Sequence, residues 1–216
     1  MARRSFDEEL NALKEEMLKM GSYVEEAIHK AVKSLAEQDV ELAVEVCEKD
    51  ERIDEYEVLI EEKCIRLIAL QQPVAKDLRT IGMIIKIITD LERIGDNACN
   101  IARITQKIGK EPLIKPLIDI PRMADLACEM VHQSLNAFVN QDPELAREIA
   151  RKDDEVDILN AQIFRELLTF MMADPSTINQ STYLLFVGRY LERIADHATN
   201  ICERIIYMTT GQRESF

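Results

Sequence analysis

Four pairs of acidic residues stand four positions apart in this sequence: Asp50 with Asp54, Glu92 with Asp96, Asp153 with Asp157, and Glu192 with Asp196. Residues at this spacing on a helix differ in direction by only about 40°, so each pair places two carboxylates on one face. Two ionised carboxylates about 5 Å apart repel by roughly 3 kcal/mol at an effective dielectric near 20. Several such pairs packed together would offset much of a domain stability of about 5 to 15 kcal/mol. Protons, arginines or metal ions must therefore neutralise them, and bound divalent cations are the sharper expectation. Oxygen donors suit hard or borderline ions such as iron, manganese, magnesium, zinc or calcium rather than copper.

The stretches around these acids are written twice. "LERIGDNACNI" begins at Leu91 and "LERIADHATNI" begins at Leu191. Steps of four give Ile84, Ile88, Glu92, Asp96 and Asn100 in one copy, and Leu184, Gly188, Glu192, Asp196 and Asn200 in the other. In both, an apolar row turns acidic in mid-helix. Asp50 and Asp54 flank Ile53, and Asp153 and Asp157 flank Val156, beside the apolar stripe of the preceding helix. The candidate sites are thus Asp50, Asp54, Glu92, Asp96 and Asn100, and then Asp153, Asp157, Glu192, Asp196 and Asn200. Arg93 and Arg193 follow the glutamates at about 100° and are expected to serve other partners. His29 and His132 also repeat and stand either as boundary residues or as ligands, whereas His197 faces Asn97 in the other copy and could serve one site only.

The duplication extends through the chain. "MGSYVEEAIHKAVKSLAEQD" from Met20 aligns with "MADLACEMVHQSLNAFVNQD" from Met123, and "VELAVEVCEKDERID" with "PELAREIARKDDEVD". Each copy reads as three helices. The first runs from about Ser5 to Glu37, with Ser5, Asp7 and Glu8 suited to its start. Asp39 and Asp142 can cap the second helix of each copy, Pro143 fits a first helical position, and the breaks fall at Pro73 and before Pro175. Third helices are expected from about Val74 to Gly109 and from about Asn179 to Thr210. Leu42, Val46, Ile53, Ile60, Cys64 and Leu67 form a buried stripe on the second helix. The expected fold is all-α: two tandem antiparallel three-helix bundles related by internal duplication, with spectrin-like packing, joined end to end or side by side. The Pro-containing linker "GKEPLIKPLID" divides them, giving repeats at 1–111 and 112–216.

A net charge of −13 argues against nucleic acid, which needs a basic surface. No stretch has the length of a membrane span or the pattern of a secretion signal, so a cytoplasmic protein without membrane insertion is expected. The five cysteines lack CxxC spacing, and Cys47, Cys64, Cys99, Cys128 and Cys202 face Ala150, Leu167, Thr199, Glu25 and Ala102 in the opposite copy. Reduced thiols without a ligand role are the expectation.

Taken together, the duplicated acidic motifs, "QQPVAKDLR" and "YLERIADHATNI" resemble the PhoU family of phosphate-transport accessory proteins. The family's E/D-x-x-x-D motifs match the four pairs above, and Asn97 departs from the histidine common after the first motif's Asp. The resemblance implies a PhoU-like fold and a cytoplasmic negative regulator of phosphate uptake and of the phosphate-starvation response. It implies contact with the ATPase subunit of a phosphate ABC transporter and with a phosphate-sensing histidine kinase. A homodimer and multinuclear metal on the motif acids are implied as well, and no enzymatic activity. Two rivals stand beside it: a carboxylate-bridged metal enzyme, which would want Glu-x-x-His pairs that "LERIGDN" and "LERIADH" lack, and a metal-free helical spacer.

Overall fold

The computed structural model describes residues 2–216, with side chains from Phe6 onward. Among these residues the regular structure is entirely helical: α1 (Ala2–Glu37), α2 (Val40–Gln71), α3 (Ala75–Ile108), α4 (Asp119–Asn140), α5 (Pro143–Ala150), α6 (Asp153–Ala173) and α7 (Ile178–Thr210), with a 3₁₀ turn at Pro175–Thr177. In α1, Leu13, Met17, Met20, Val24, Ile28, Ala31 and Leu35 recur at three- and four-residue steps and are all buried. That stripe makes the helix worth forming, because burial of one face supplies what propensity alone cannot.

Caps set the boundaries largely where the sequence puts them. Asp39 accepts from the Leu42 amide at 2.9 Å, and Asp142 accepts from the amides of Glu144 and Leu145 with Pro143 at the first helical position. α2 stops before Pro73 on Gln72, which takes the left-handed conformation at φ 47°. α3 ends at Gly109 and α7 at Gly211.

Two boundaries differ from expectation. α1 begins at Ala2, so Ser5 falls within the helix rather than at its start. The second helix of the second copy is broken at Arg151 and Lys152 into α5 and α6. Backbone bonds there tighten to three-residue spacing, Lys152 N to Ile149 O at 2.9 Å and Glu155 N to Lys152 O at 3.0 Å. The new start places Asp153, Asp154 and Glu155 in a first helical turn, where the helix dipole favours negative charge.

α1, α2 and α3 pack as one bundle, and α4, α5–α6 and α7 as the other. The bundles lie side by side: α3 runs against α7, α1 runs against α4, and one apolar core continues through both. This resolves the end-to-end alternative. Gly21 lets α1 and α4 approach closely, since a Cβ there would run into the end of the Leu135 side chain. His29 Nε2 meets Cys128 Sγ at 3.2 Å, and His132 Nδ1 meets Glu25 Oε1 at 3.1 Å. All three histidines lie on contacts between the copies, because His197 Nδ1 is 3.1 Å from Asp90 Oδ1 across α3 and α7. Asp90, only 5% exposed, also accepts from Arg204 Nε at 2.6 Å.

Candidate metal centre

In the first copy α2 carries Asp50 and Asp54, α3 carries Glu92 and Asp96, and the two helices pack together so that the acids line their seam. Gly95 permits the approach: a Cβ there would stand 2.9 Å from Ile53 Cδ1 and 3.0 Å from Asp50 Oδ1. Burial, reinforced by the negative charges of Asp54 and Asp96, pushes the Asp50 carboxyl up to about 6. Burial and Asp96 push Glu92 up to about 7 against the relief offered by Arg93. Asp54 is raised in the same direction, by burial and then by Asp96.

Arginine enters this seam despite the angular argument against it. The Arg93 guanidinium is long enough to fold back, placing NH1 3.3 Å from Asp96 Oδ2 and Nε 3.2 Å from Glu92 Oε2. The second of these contacts lacks hydrogen-bond alignment, so Glu92 Oε2 is buried without a hydrogen bond. Asn100 is turned toward Arg103, whose NH1 donates to its Oδ1 at 3.0 Å.

The second seam is built from Asp153 and Asp157 of α6 and Glu192 and Asp196 of α7. Burial and the charge of Asp196 push Asp153 up to about 6. Asp157 and Asp196 are raised too, each by burial first and Glu192 next. Glu192 is held differently from its counterpart: its Oε2 accepts from Asn160 Nδ2 at 2.8 Å and pairs with Arg189 NH1 at 2.6 Å. Gly188 makes room, as a Cβ there would be 2.7 Å from Asn160 Oδ1. Asn200 is half-buried on the same helix.

Each quartet of acids is therefore brought into mutual electrostatic contact, while Asn100 is engaged by Arg103 instead. Among the described residues, no three His, Cys, Asp or Glu side chains converge closely enough to enclose an ion, so the acids line a seam rather than form a closed cage. The donor chemistry suits a divalent cation: carboxylates whose proton affinity is raised by burial and then by one another, and a buried oxygen of Glu92 without a hydrogen bond. Arg189 and Asn160 were missed in the sequence. Arg189 could have been found three residues before Glu192, but Asn160 gives no local signal. The thiols of Cys47 and Cys99 also meet beside Asp50 at the first seam, 2.7 Å apart.

Duplicated three-helix bundles with an acidic inter-helix seam in each copy define the class to which this molecule belongs. A family model described as the PhoU domain matches residues 17–105 and again residues 120–205. The chain is 43% identical over 214 residues to a phosphate-specific transport system accessory protein PhoU homolog of Clostridium acetobutylicum, covering 99% of this chain and 98% of that one. It is 48% identical over 204 residues to the homolog of the same description from Aquifex aeolicus, covering 94% and 92%. The crystal structure of PhoU from Pseudomonas aeruginosa superposes with a TM-score of 0.92 at 38% identity, over 96% of this chain and 100% of that one. The phosphate transport system regulatory protein PhoU of Streptococcus pneumoniae gives 0.91 at 34% identity, over 98% and 100%. The chain belongs to the PhoU family, a family of regulatory and accessory proteins rather than enzymes.

Proposed function

We propose that this chain is an accessory regulator of phosphate-specific transport whose two acidic seams bind divalent metal. Its relatives' descriptions supply the transport role. The Glu92 oxygen, buried without a hydrogen bond beside acids that burial and mutual repulsion make reluctant to ionise, is the observation that supports metal. Asp50, Asp54, Glu92 and Asp96 would hold the first site and Asp153, Asp157, Glu192 and Asp196 the second, with Asn100 and Asn200 within reach of the same faces. A bound divalent cation would supply positive charge that offsets part of the negative charge of each acidic seam.

The protein's own residues then do three things. With a cation bound, the carboxylates would serve as deprotonated ligands, Arg93 and Arg189 would no longer be needed to neutralise them, and the exposed flanks of both seams would become less negative toward a partner. Negative regulation follows if that change governs contact with the ATPase subunit of the phosphate transporter and with a phosphate-sensing histidine kinase. A cytoplasmic homodimer is part of this reading. Among the described residues no helix is long and apolar enough to cross a membrane.

The test is elemental analysis of protein purified without chelator and then loaded with manganese or iron. It compares the wild type with Glu92→Ala/Asp96→Ala and Glu192→Ala/Asp196→Ala. Separate losses in the two variants would support two sites. A wild type that holds no metal would overturn the metal reading and leave the acids, partly neutralised by Arg93 and Arg189, as a docking face for basic partners.

A further inference from the structure

The two seams differ in one chemical respect that their acids do not reveal. In the first copy Cys47 of α2 and Cys99 of α3 face each other with their sulfurs 2.7 Å apart, and Cys47 Sγ also lies 3.4 Å from the Cys99 carbonyl oxygen. A formed disulfide measures about 2.04 Å between sulfurs, so less than an ångström separates the reduced pair from bonding distance. At the equivalent positions the second copy carries Ala150 and Thr199, which cannot form such a pair.

We propose that Cys47 and Cys99 are a thiol-oxidation site at which a peroxide closes a disulfide between α2 and α3 beside the first acidic seam. Cys47 is half-buried with the Gln106 amide 3.9 Å from its sulfur, whereas Cys99 is 1% exposed. Cys47 is thus the sulfur that meets the oxidant. Its thiol attacks the peroxide, the O–O bond breaks, and Cys47 sulfenic acid forms with release of one water from hydrogen peroxide. The Cys99 thiol then displaces the sulfenic oxygen: the S–S bond forms, the S–O bond breaks, and a second water leaves. Both sulfurs are oxidised and one peroxide is reduced. Burial and the neighbouring Cys47 hold the Cys99 thiol well above the ordinary range, so its acidity gives no help. Contact supplies the rate instead, since an aligned intramolecular partner acts at very high effective concentration.

The link would fix the α2–α3 spacing at the turn of α2 that carries both Cys47 and Asp50. Oxidation therefore addresses the first seam and leaves the second untouched.

The experiment treats the full-length protein with hydrogen peroxide, with and without chelator, blocks free thiols under denaturing conditions, and reads intact mass and peptide linkage. None of these readouts depends on metal in the seam. Two of the five cysteines are expected to be lost from the thiol count, with a Cys47–Cys99 link that dithiothreitol reverses. Cys47→Ala and Cys99→Thr install residues that the second copy already accommodates, and thermal melts check that both fold. Cys47→Ala should keep all its remaining thiols. Cys99→Thr should form no link and accumulate sulfenic acid at Cys47, trapped by a 1,3-diketone. Wild-type protein that keeps all five thiols, or that links any other pair, overturns the proposal, as does equal thiol loss in Cys47→Ala.

Discussion

Glu92 and Glu192 occupy the same place in the duplicated sequence, yet one has a buried oxygen without a hydrogen bond and the other is held by Arg189 and Asn160. Their substitutions should therefore act in opposite directions in metal-free protein. Glu92→Gln removes a charge that burial disfavours and is expected to raise the melting temperature at pH 8, while Glu192→Gln breaks a satisfied pair and is expected to lower it. The pH dependence has a definite sign. Asp50, Glu92 and Asp153 all titrate higher when folded than when unfolded. Their favourable contribution is complete below about pH 4 and is lost as pH rises through 6 to 7. After discounting for solvent screening, each group is worth about 1 kcal/mol, or roughly 2 to 4 °C in a chain of this size. Chelated protein should thus melt lower at pH 8 than at pH 5, and manganese should restore more stability at pH 8. A melting temperature that climbs across that window without metal would contradict the folded-state values. At this scale the sequence was legible for the acids, because repetition at four-residue steps marks a face. It was silent on Asn160 and on the Cys47–Cys99 contact, which depend on the relative rotation of two helices.

At the scale of elements, proline and aspartate made most boundaries readable. Asp142→Ala should cost about 1 kcal/mol, seen as a lower denaturation midpoint with unchanged slope, because the amides of Glu144 and Leu145 lose their acceptor. The interruption between α5 and α6 was not readable, as no glycine or proline stands at Arg151 or Lys152. Only three adjacent acids, which gain from a helix start, hint at it. Helix spacing is the other element-level property, and it rests on Gly95. Gly95→Ala must displace Ile53 or Asp50, since its methyl would stand 2.9 Å from Ile53 Cδ1. The expected result is a destabilisation of about 1 to 3 kcal/mol with metal lost from the first seam and retained in the second. Equal loss from both seams would show that Gly95 does not act locally.

Over the whole molecule, the bundles share a core and are fastened by Asp90, which reaches both Arg204 and His197 across α3 and α7. Replacing one partner of such a buried pair leaves the other charge uncompensated, so Arg204→Met should cost about 3 kcal/mol or more. The wild type should unfold in one calorimetric transition with matching van 't Hoff and calorimetric enthalpies. Two transitions would mean that the copies are thermodynamically separate. Duplication made the two bundles legible, but side-by-side assembly was not, because the residues that join them, such as Gly21, His29 and Asp90, read as ordinary helix positions. The α1–α4 contact has one more consequence. His29 meets Cys128 while His132 meets Glu25, and His29 aligns with His132 as Glu25 aligns with Cys128. These are the reciprocal contacts of an isologous dimer, drawn within a single chain. A dimer of one gene product would have to place the same residue at both ends of such an interface. A fused pair is free of that obligation, so each half can specialise alone, one with a thiol pair beside its acids and the other with an arginine and an asparagine.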